Sequence, residues 1–533
     1  MDVLSVEEMR VAEGRALARG ISEAELQARA GAAVAAHAMR LAPSGPIVVP
    51  VGIGNNGRDG WVAACALTRA QRPVRLYLSP RHALTEAEIA VFQAAHGSVC
   101  VHTGDESLAT LRLWLADAAL VIDALLGIGA KGAPRSPLDR FIAELNRARF
   151  SRAELRVIAI DVPSGIDADS GEVPGEAVHA DATVALGAVK QGLLRFPAAA
   201  LTGALLSGEI GLAGAGAMSA TTRTLERDEV RRAVPARGLQ GHKGSFGRVL
   251  VAAGSPSYLG APYLAGTAAA RSGCGLVAFA AAPRLQAVLA GLLPEATYLR
   301  LPGGAPDEQP KDAADRVMEA MSEAQAMVLG PGIGRSDGAR TFVRRLLAGR
   351  AEIETPPPIV VDADALSILG DTPELWPSLT PGAVLTPHHG EMARLTGLPL
   401  EEIAYTPWQV AREAAARWGH TVVLKGPFTA IATRDEAVRV LVHANPALAT
   451  AGTGDVLAGT IAGLLAQGLQ PPDAARVAVY AHAAAAAAVC QLHDRDLLLA
   501  GDLLGQIPRE LAALRSERGD PPARAWVHWA DRL

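Results

Sequence analysis

The chain is poor in the residues that staple, chelate or stack. Its 533 residues include four cysteines, Cys65, Cys100, Cys274 and Cys490, far apart and without a C-x-x-C pair. That argues against a disulfide framework or a cysteine-built zinc site and fits a reducing compartment. Aromatic residues make up 4% and the net charge is −5. Neither a stacking surface for single strands nor a basic field for nucleic acid is expected. No apolar run reaches the ~20 residues that cross a bilayer. The Ala-rich "YAHAAAAAAVC" at 480–490 reads instead as a closely packed helix. The N-terminus, "MDVLSVEEMRVAEGRALARG", mixes acids and bases and lacks the apolar core of a signal peptide. A cytoplasmic protein with no nucleic-acid or membrane partner is expected.

What is present is half hydrophobic and one-fifth charged, as in soluble globular domains. At ~150 residues per domain the chain should hold more than one. Apolar strand-like runs at 46–52, 73–79, 118–124, 156–162 and 182–187 alternate with amphipathic stretches. A second series follows at 247–254, 275–281, 326–330, 358–363, 383–386 and 421–426. Such alternation predicts α/β domains, each a parallel sheet with helices on both faces, three layers in all. The small, polar, non-periodic stretch at 215–229 separates the series and reads as a linker.

In the first half, three strand ends carry polar chemistry, and strand ends are where open α/β sheets bind ligands. "VGIGNNGRDG" at 51–60 is a Gly-rich strand-to-helix turn, but neither G-x-G-x-x-G nor a P-loop. "VIDALLGIGAKGAP" at 121–134 puts Asp123 at a strand end before a flexible loop, and "AIDVPSGIDAD" at 159–169 does the same for Asp161, with Ser164 following. Two carboxylates, an amide and a hydroxyl can meet there to hold a hard cation or move a proton. Each Asp alone is equally readable as a helix cap or turn former.

"GNNGRDG", "DALLGIG" and "IDVPSGIDADSG", in this order, resemble the N-terminal epimerase domain of the bifunctional NAD(P)H-hydrate repair enzymes, over most of 1–214. The resemblance implies a Rossmann-like parallel sheet that binds potassium and interconverts the R and S forms of hydrated NADH or NADPH. Asn56, Asp123 and Ser164 match the potassium ligands. Asn55, Asn56, Gly57, Arg58 and Asp59, with Gly127, Ile128, Gly129, Ala130, Lys131, Gly132 and Ala133, match the substrate-binding segments. Asp161 matches the acid beside the substrate and is the expected general acid/base. The family usually reads Asn-Asn-Gly-Gly-Asp-Gly, so Arg58 replaces a glycine. If that glycine needed positive φ, arginine would be strained; if not, a guanidinium beside a pyrophosphate can add a bidentate contact.

The second half carries "AGTGDVLAGTIAGLLAQG" at 451–468, a Gly-rich turn opening a long helix. Its amides and dipole suit an anion, and Asp455 in the first turn can take a proton from a hydroxyl attacking a phosphoryl group. Upstream, "TVVLKGPFTAIA" at 421–432 is a strand, a turn and a strand whose Lys425–Thr429 turn can cradle a phosphate. In "LTPHHGEMARL" at 385–395, His388 can face a ligand, while Glu391 can bind a metal or cap the helix. "VLGPGIGR" at 328–335 is another Gly-rich strand end.

With "GHKGSFGRVLVAAGS", "GPGIG", "TPHHGE", "KGPFT" and "GTGDVLAG" in that order, most of 230–510 resembles the ribokinase-like dehydratase domain of the same family, and 230–533 is the expected extent of that domain. This implies phosphorylation of the hydrate from ADP or ATP with Mg2+, loss of phosphate and return of NADH or NADPH. ADP is the expected co-substrate. By match, Ala261, Gly334, His388 and Asp455 contact the hydrate, and Lys425, Gly426, Pro427, Phe428, Thr429 and Gly454 the nucleotide. His389 stands where the family often has proline. A homo-oligomer is expected. Two other readings stay open: a small-molecule kinase of the ribokinase class with an N-terminal binding module, and an inactive epimerase half serving only as an interaction domain.

Overall fold

The computed structural model describes residues 1–212, 220–302, 310–379, 382–493 and 497–517. The chain divides into two compact units, Met1–Arg223 and Thr224–Leu533.

The first unit is built on a seven-stranded sheet in the order Ser98–Val101, Val74–Leu78, Ile47–Val51, Leu120–Asp123, Arg156–Ile160, Ala182–Leu186, Ala204–Gly208. Every neighbouring pair is parallel. The central strands are continuous apolar runs because both faces are covered. Val48, Val121 and Val157 join one core cluster, while Ile47, Val49, Val51, Ile122, Ile158 and Ile160 join the cluster on the other face. Strand order reverses between Ile47–Val51 and Leu120–Asp123, and the loops after these two strands open there.

The second sheet has ten strands. Seven strands run parallel, in the order Thr421–Leu424, Val384–Leu385, Ile359–Val361, Ala326–Leu329, Arg248–Ala252, Leu276–Ala281, Thr297–Arg300. Ala430–Ala432 and Val438–Val440 continue it antiparallel beyond Thr421–Leu424. Helices Gly260–Ser272 and Thr453–Ala466 pack closely against each other. A Cβ at Gly459 would lie 2.0 Å from the Ala265 carbonyl oxygen, and one at Gly463 2.5 Å from that of Ala269. The glycines of "AGTIAGLL" therefore serve helix contact rather than turn formation.

Three expectations change. Residues 213–219 of the expected linker region lie outside the described residues, but Thr222–Thr224 is an edge strand of the second sheet and Arg227–Ala233 a helix. Short local polarity hid both. Helix Pro471–His493 is, contrary to the reading of its composition, long and apolar enough to cross a membrane; 61% of the window is nevertheless buried inside the protein, with Ala474, Ala475, Ala478 and Ala481 in the core. Strands Ser98–Val101 and Thr297–Arg300 escaped the apolar pattern because they are sheet edges, exposed to half-buried.

Candidate functional site

Helix Asn55–Arg69 starts at Gly54, whose φ of 93° follows from the sharp turn off the strand, and no side chain caps it. The N–H groups of Asn55 and Asn56 therefore open into a cleft of about 610 Å3. Gly57 belongs to the packing: a Cβ there would lie 2.4 Å from the Gly52 oxygen. Of the expected substrate segments, Asn55, Asn56, Asp59, Gly127, Ile128, Gly129, Ala130 and Asp161 line the cleft. Gly57, Arg58, Lys131, Gly132 and Ala133 do not; the last three are exposed beyond its wall.

Arg58 settles the question its substitution raised. It lies inside the helix and is not among the positive-φ residues, so the side chain brings no backbone strain. Its guanidinium turns away from the cleft, to Glu88 at 2.9 Å and the Ala83 oxygen at 3.1 Å. Where the sequence left a pyrophosphate contact open, the guanidinium ties this helix to the 83–88 segment.

Asp123, Ser164 and Asn56 form one buried network. The Ser164 hydroxyl donates to Asp123 Oδ1 at 2.7 Å and its N–H to Oδ2 at 2.8 Å. Leu126 N–H donates to Ser164 Oγ, and the Asn56 amide donates to the Leu126 oxygen at 2.7 Å. Asp123 is fully buried, and burial pushes its pKa up to about 6 against the three hydrogen bonds that favour its charge. No basic side chain pairs with it among the described residues, and the Asn56 carbonyl oxygen has no protein donor there. A donor-free amide oxygen beside a buried carboxylate that lacks a cation is what a large monovalent ion would complete.

Asp161 follows its strand at φ 65°, a conformation an aspartate tolerates better than most residues. Its Oδ1 accepts from Leu186 N–H and from Lys190, an ammonium with no exposed side-chain surface. Oδ2 accepts no hydrogen bond among the described residues, and Asp161 lines the cleft. Lys190 was not visible as a site residue in the sequence, since "AVKQG" reads as a loop. Asp59, also buried, accepts and donates no hydrogen bond among the described residues; burial first, then Asp161 and Glu13, push its pKa up to about 8. Helix Val6–Ala18 adds Arg10, Glu13 and Leu17 to the cleft wall.

In the second unit, helix Thr453–Ala466 begins the same way, at Gly452 with φ 90° and no side-chain cap. The N–H groups of Gly454 and Asp455 donate to no carbonyl among the described residues. A Cβ on Gly454 would lie 3.3 Å from Lys425 Nζ, so the glycine gives the ammonium its place. Lys425 faces inward, to Asp362 at 2.8 Å and Glu391 at 3.9 Å, rather than out along its turn. Burial opposes its charge, but Asp362 and Glu391 outweigh that and hold its pKa above the ordinary value. Around it, burial pushes Asp455 up to about 7, with Asp362 reinforcing the shift and Lys425 opposing it, and burial likewise pushes Glu391 up to about 7.

His388 caps the helix His389–Thr396: its Nδ1 accepts from Gly390 N–H at 3.0 Å and Glu391 N–H at 3.3 Å. The hydrogen must then sit on Nε2, and burial followed by Lys425 lowers the pKa of the ring. His388 is a neutral donor. Glu391 returns the cap by accepting from His388 N–H at 2.8 Å. A smaller cavity of about 280 Å3 lies between His388, Glu391, Arg335, Arg394 and Asp364. Gly334 donates its N–H to Asp364 at 3.0 Å, and Ala261 approaches the same loop at Gly332. Gly426 and Pro427 are exposed at the turn, Gly426 against the His389 ring, and Phe428 and Thr429 are half-buried beside them. Asp362 and Asp364 were missed, although the strand-end rule applied to Asp123 and Asp161 would have found "VVDADAL". Ala363 between them has φ 52° and ψ −120°, a strained backbone of the kind that gathers at functional sites.

Known proteins pair the same two sites. The NAD(P)H-hydrate dehydratase family matches residues 249–509, and the family described as YjeF-related protein N-terminus matches 23–192. A bifunctional NAD(P)H-hydrate repair enzyme of Moorella thermoacetica is 37% identical over 480 residues, 88% of each chain. That of Escherichia coli K12 is 30% identical over 492 residues, 92% of this chain and 90% of its own. A solved ADP/ATP-dependent NAD(P)H-hydrate dehydratase from Bacillus subtilis, co-crystallised with ATP and Mg2+, is 31% identical with a TM-score of 0.46, over 56% of this chain and 100% of that one. Fold and sites define a two-part α/β enzyme with a YjeF-type unit ahead of one that matches the NAD(P)H-hydrate dehydratase family. The chain belongs to the bifunctional NAD(P)H-hydrate repair enzymes.

Proposed function

We propose that the first unit epimerises the R and S forms of hydrated NADH or NADPH and that the second dehydrates the S form at the expense of ADP, or of ATP. One observation carries the reading: in each unit a helix start without a side-chain cap opens beside a buried carboxyl group that no donor occupies among the described residues.

In the first unit, the hydroxyl-bearing ring carbon must exchange its hydroxyl between faces. Asp59, protonated at neutral pH, gives its proton to the hydroxyl, the C–O bond breaks and the ring nitrogen supplies the electrons. Water then adds to the other face and loses a proton to Asp161, whose charge Lys190 balances. Asn56, Asp123 and Ser164 would hold potassium, which when bound supplies positive charge at the floor of the cleft.

In the second unit, the hydrate hydroxyl attacks the terminal phosphoryl group of the nucleotide while Asp455 takes its proton. The amides at Gly454 and Asp455 collect the developing charge. His388 Nε2–H orients the substrate. Phosphate then leaves with the C–O electron pair, and loss of the neighbouring ring proton restores the double bond. Among the described residues no group of three or more His, Cys, Asp or Glu forms a metal cage. Magnesium would therefore enter with the nucleotide phosphates and their waters.

The test incubates the protein with the S hydrate of NADH and with ADP or ATP, following nicotinamide absorbance and phosphate release. Recovered NADH with one phosphate per turnover is expected. A stable phosphoester and no NADH would make the second unit a kinase.

A further inference from the structure

The family match to the first unit starts at residue 23, so helix Val6–Ala18 precedes it. This helix nevertheless walls the cleft. Val6, Met9 and Ala16 are buried in the unit, while Arg10, Glu13 and Leu17, at i, i+3 and i+7, form one stripe facing the cavity. Leu17 and, across the cleft, Ile53 are large apolar side chains left 45% and 61% exposed.

Charge makes the stripe more than a wall. The acidic side chains lining the cleft are Glu13, Glu23, Asp59 and Asp161, and Arg10 is the one basic residue among the lining. The Arg10 guanidinium forms no ion pair or hydrogen bond among the described residues, although it lies close enough to lower the pKa of Glu13, which burial raises. With Asp59 protonated and Asp161 paired with Lys190, Glu13 and Glu23 remain to repel a dinucleotide that carries a pyrophosphate unless a cation answers them.

Resting on the epimerase reading above, we propose that Arg10 binds a phosphate of the hydrated dinucleotide, so that the helix ahead of the matched region is part of the substrate site. The anion faces Arg10 on one side and the uncapped start of helix Asn55–Arg69 on the other. The phosphate is either the pyrophosphate, common to both substrates, or the extra ribose phosphate of the NADPH form.

Arg10→Ala and Arg10→Lys in the full chain test this, with epimerisation of the R hydrates of NADH and NADPH followed separately in potassium buffer. Arg10→Ala should raise KM about tenfold with kcat within about twofold of wild type. Arg10→Lys should recover part of the loss, and dehydration of the S hydrate should be unchanged. A rise with both hydrates assigns the pyrophosphate; a rise with the NADPH hydrate alone assigns the ribose phosphate. Unchanged KM for both, with an active wild type, overturns the role of Arg10 and leaves the epimerase reading standing. A wild type that cannot epimerise at all overturns both.

Discussion

Replacing Arg58 by the glycine usual in the family should cost stability and leave substrate binding alone. The wild-type guanidinium joins Glu88 at 2.9 Å and the Ala83 oxygen at 3.1 Å, with both charged side chains partly exposed at 33% and 25%. An ion pair so placed contributes about 0.2–1 kcal/mol. The bond to a carbonyl adds about 1 kcal/mol after the same solvent screening, and glycine in a helix costs close to ~1 kcal/mol. The loss is therefore about 2–3 kcal/mol, a fall in Tm of about 4–12 °C for a unit of this size. Burial pushes the Glu88 pKa up, but the Thr85 hydrogen bonds and Arg58 outweigh it and hold the carboxyl below its ordinary value. Stability from the pair is thus complete above the ordinary glutamate pKa and is lost as pH falls through the folded one. Thermal melts of Arg58→Gly, Glu88→Gln and the double variant, at neutral pH and near pH 3, measure both effects. Epimerase KM should not move. A tenfold rise in KM with an unchanged melting curve would refute the placement of Arg58 and return it to the substrate pyrophosphate.

Asp455→Asn should lower dehydration by ~10²–10⁴-fold, measured as phosphate release, while epimerisation continues in the other unit. Because Asp455 accepts a proton from a pKa pushed up to about 7, wild-type dehydration should rise with pH below 7 and level off above it. Epimerisation should run the opposite way at high pH, falling above about 8 as Asp59 loses the proton it donates, and Asp59→Asn should remove that limb together with most of the rate. Potassium should stimulate epimerisation more than sodium, and Asp123→Ala should abolish the difference; equal rates in the two salts with wild type would count against the ion site.

What the sequence made legible follows from the physics of each signal. Central strands such as "PIVVPVG" were readable because burial on both faces leaves an unbroken apolar run. Edge strands carry no such mark, and Thr222–Thr224 passed for a linker. Asp123, Asp161 and Asp455 were found because each stands where a strand ends or a helix begins, a position where local sequence and site coincide. Asp362 obeys the same rule and was passed over only because its strand carries no glycine-rich loop. The side chains that reach a site from elsewhere left no local trace. Lys190 comes from a short strand after the last matched motif, and Arg10 from a helix whose pattern reports only amphipathicity. The destination of Arg58 was equally invisible, since Glu88 lies thirty residues downstream.

The two sites, on unrelated sheets, solve one electrostatic problem alike. Each places a lysine ammonium against a strand-end aspartate, Lys190 on Asp161 and Lys425 on Asp362. Each sets a further carboxyl, Asp59 or Asp455, within the field of that pair but hydrogen-bonded to neither member. The lysine is held against one carboxylate, whose charge still reaches the second acid and raises its pKa. A second buried carboxylate then gains little from the ammonium and still bears the full cost of desolvation. Its pKa moves toward neutrality, which is where a group must sit to give or take a proton in working time. Burial, reinforced by the aspartate of the pair, is therefore what lets the neighbouring acid hold a proton near neutrality, and the lysine limits that shift; removing the lysine should push the acid's pKa higher still and cost activity through the proton balance of the site as well as through the fold.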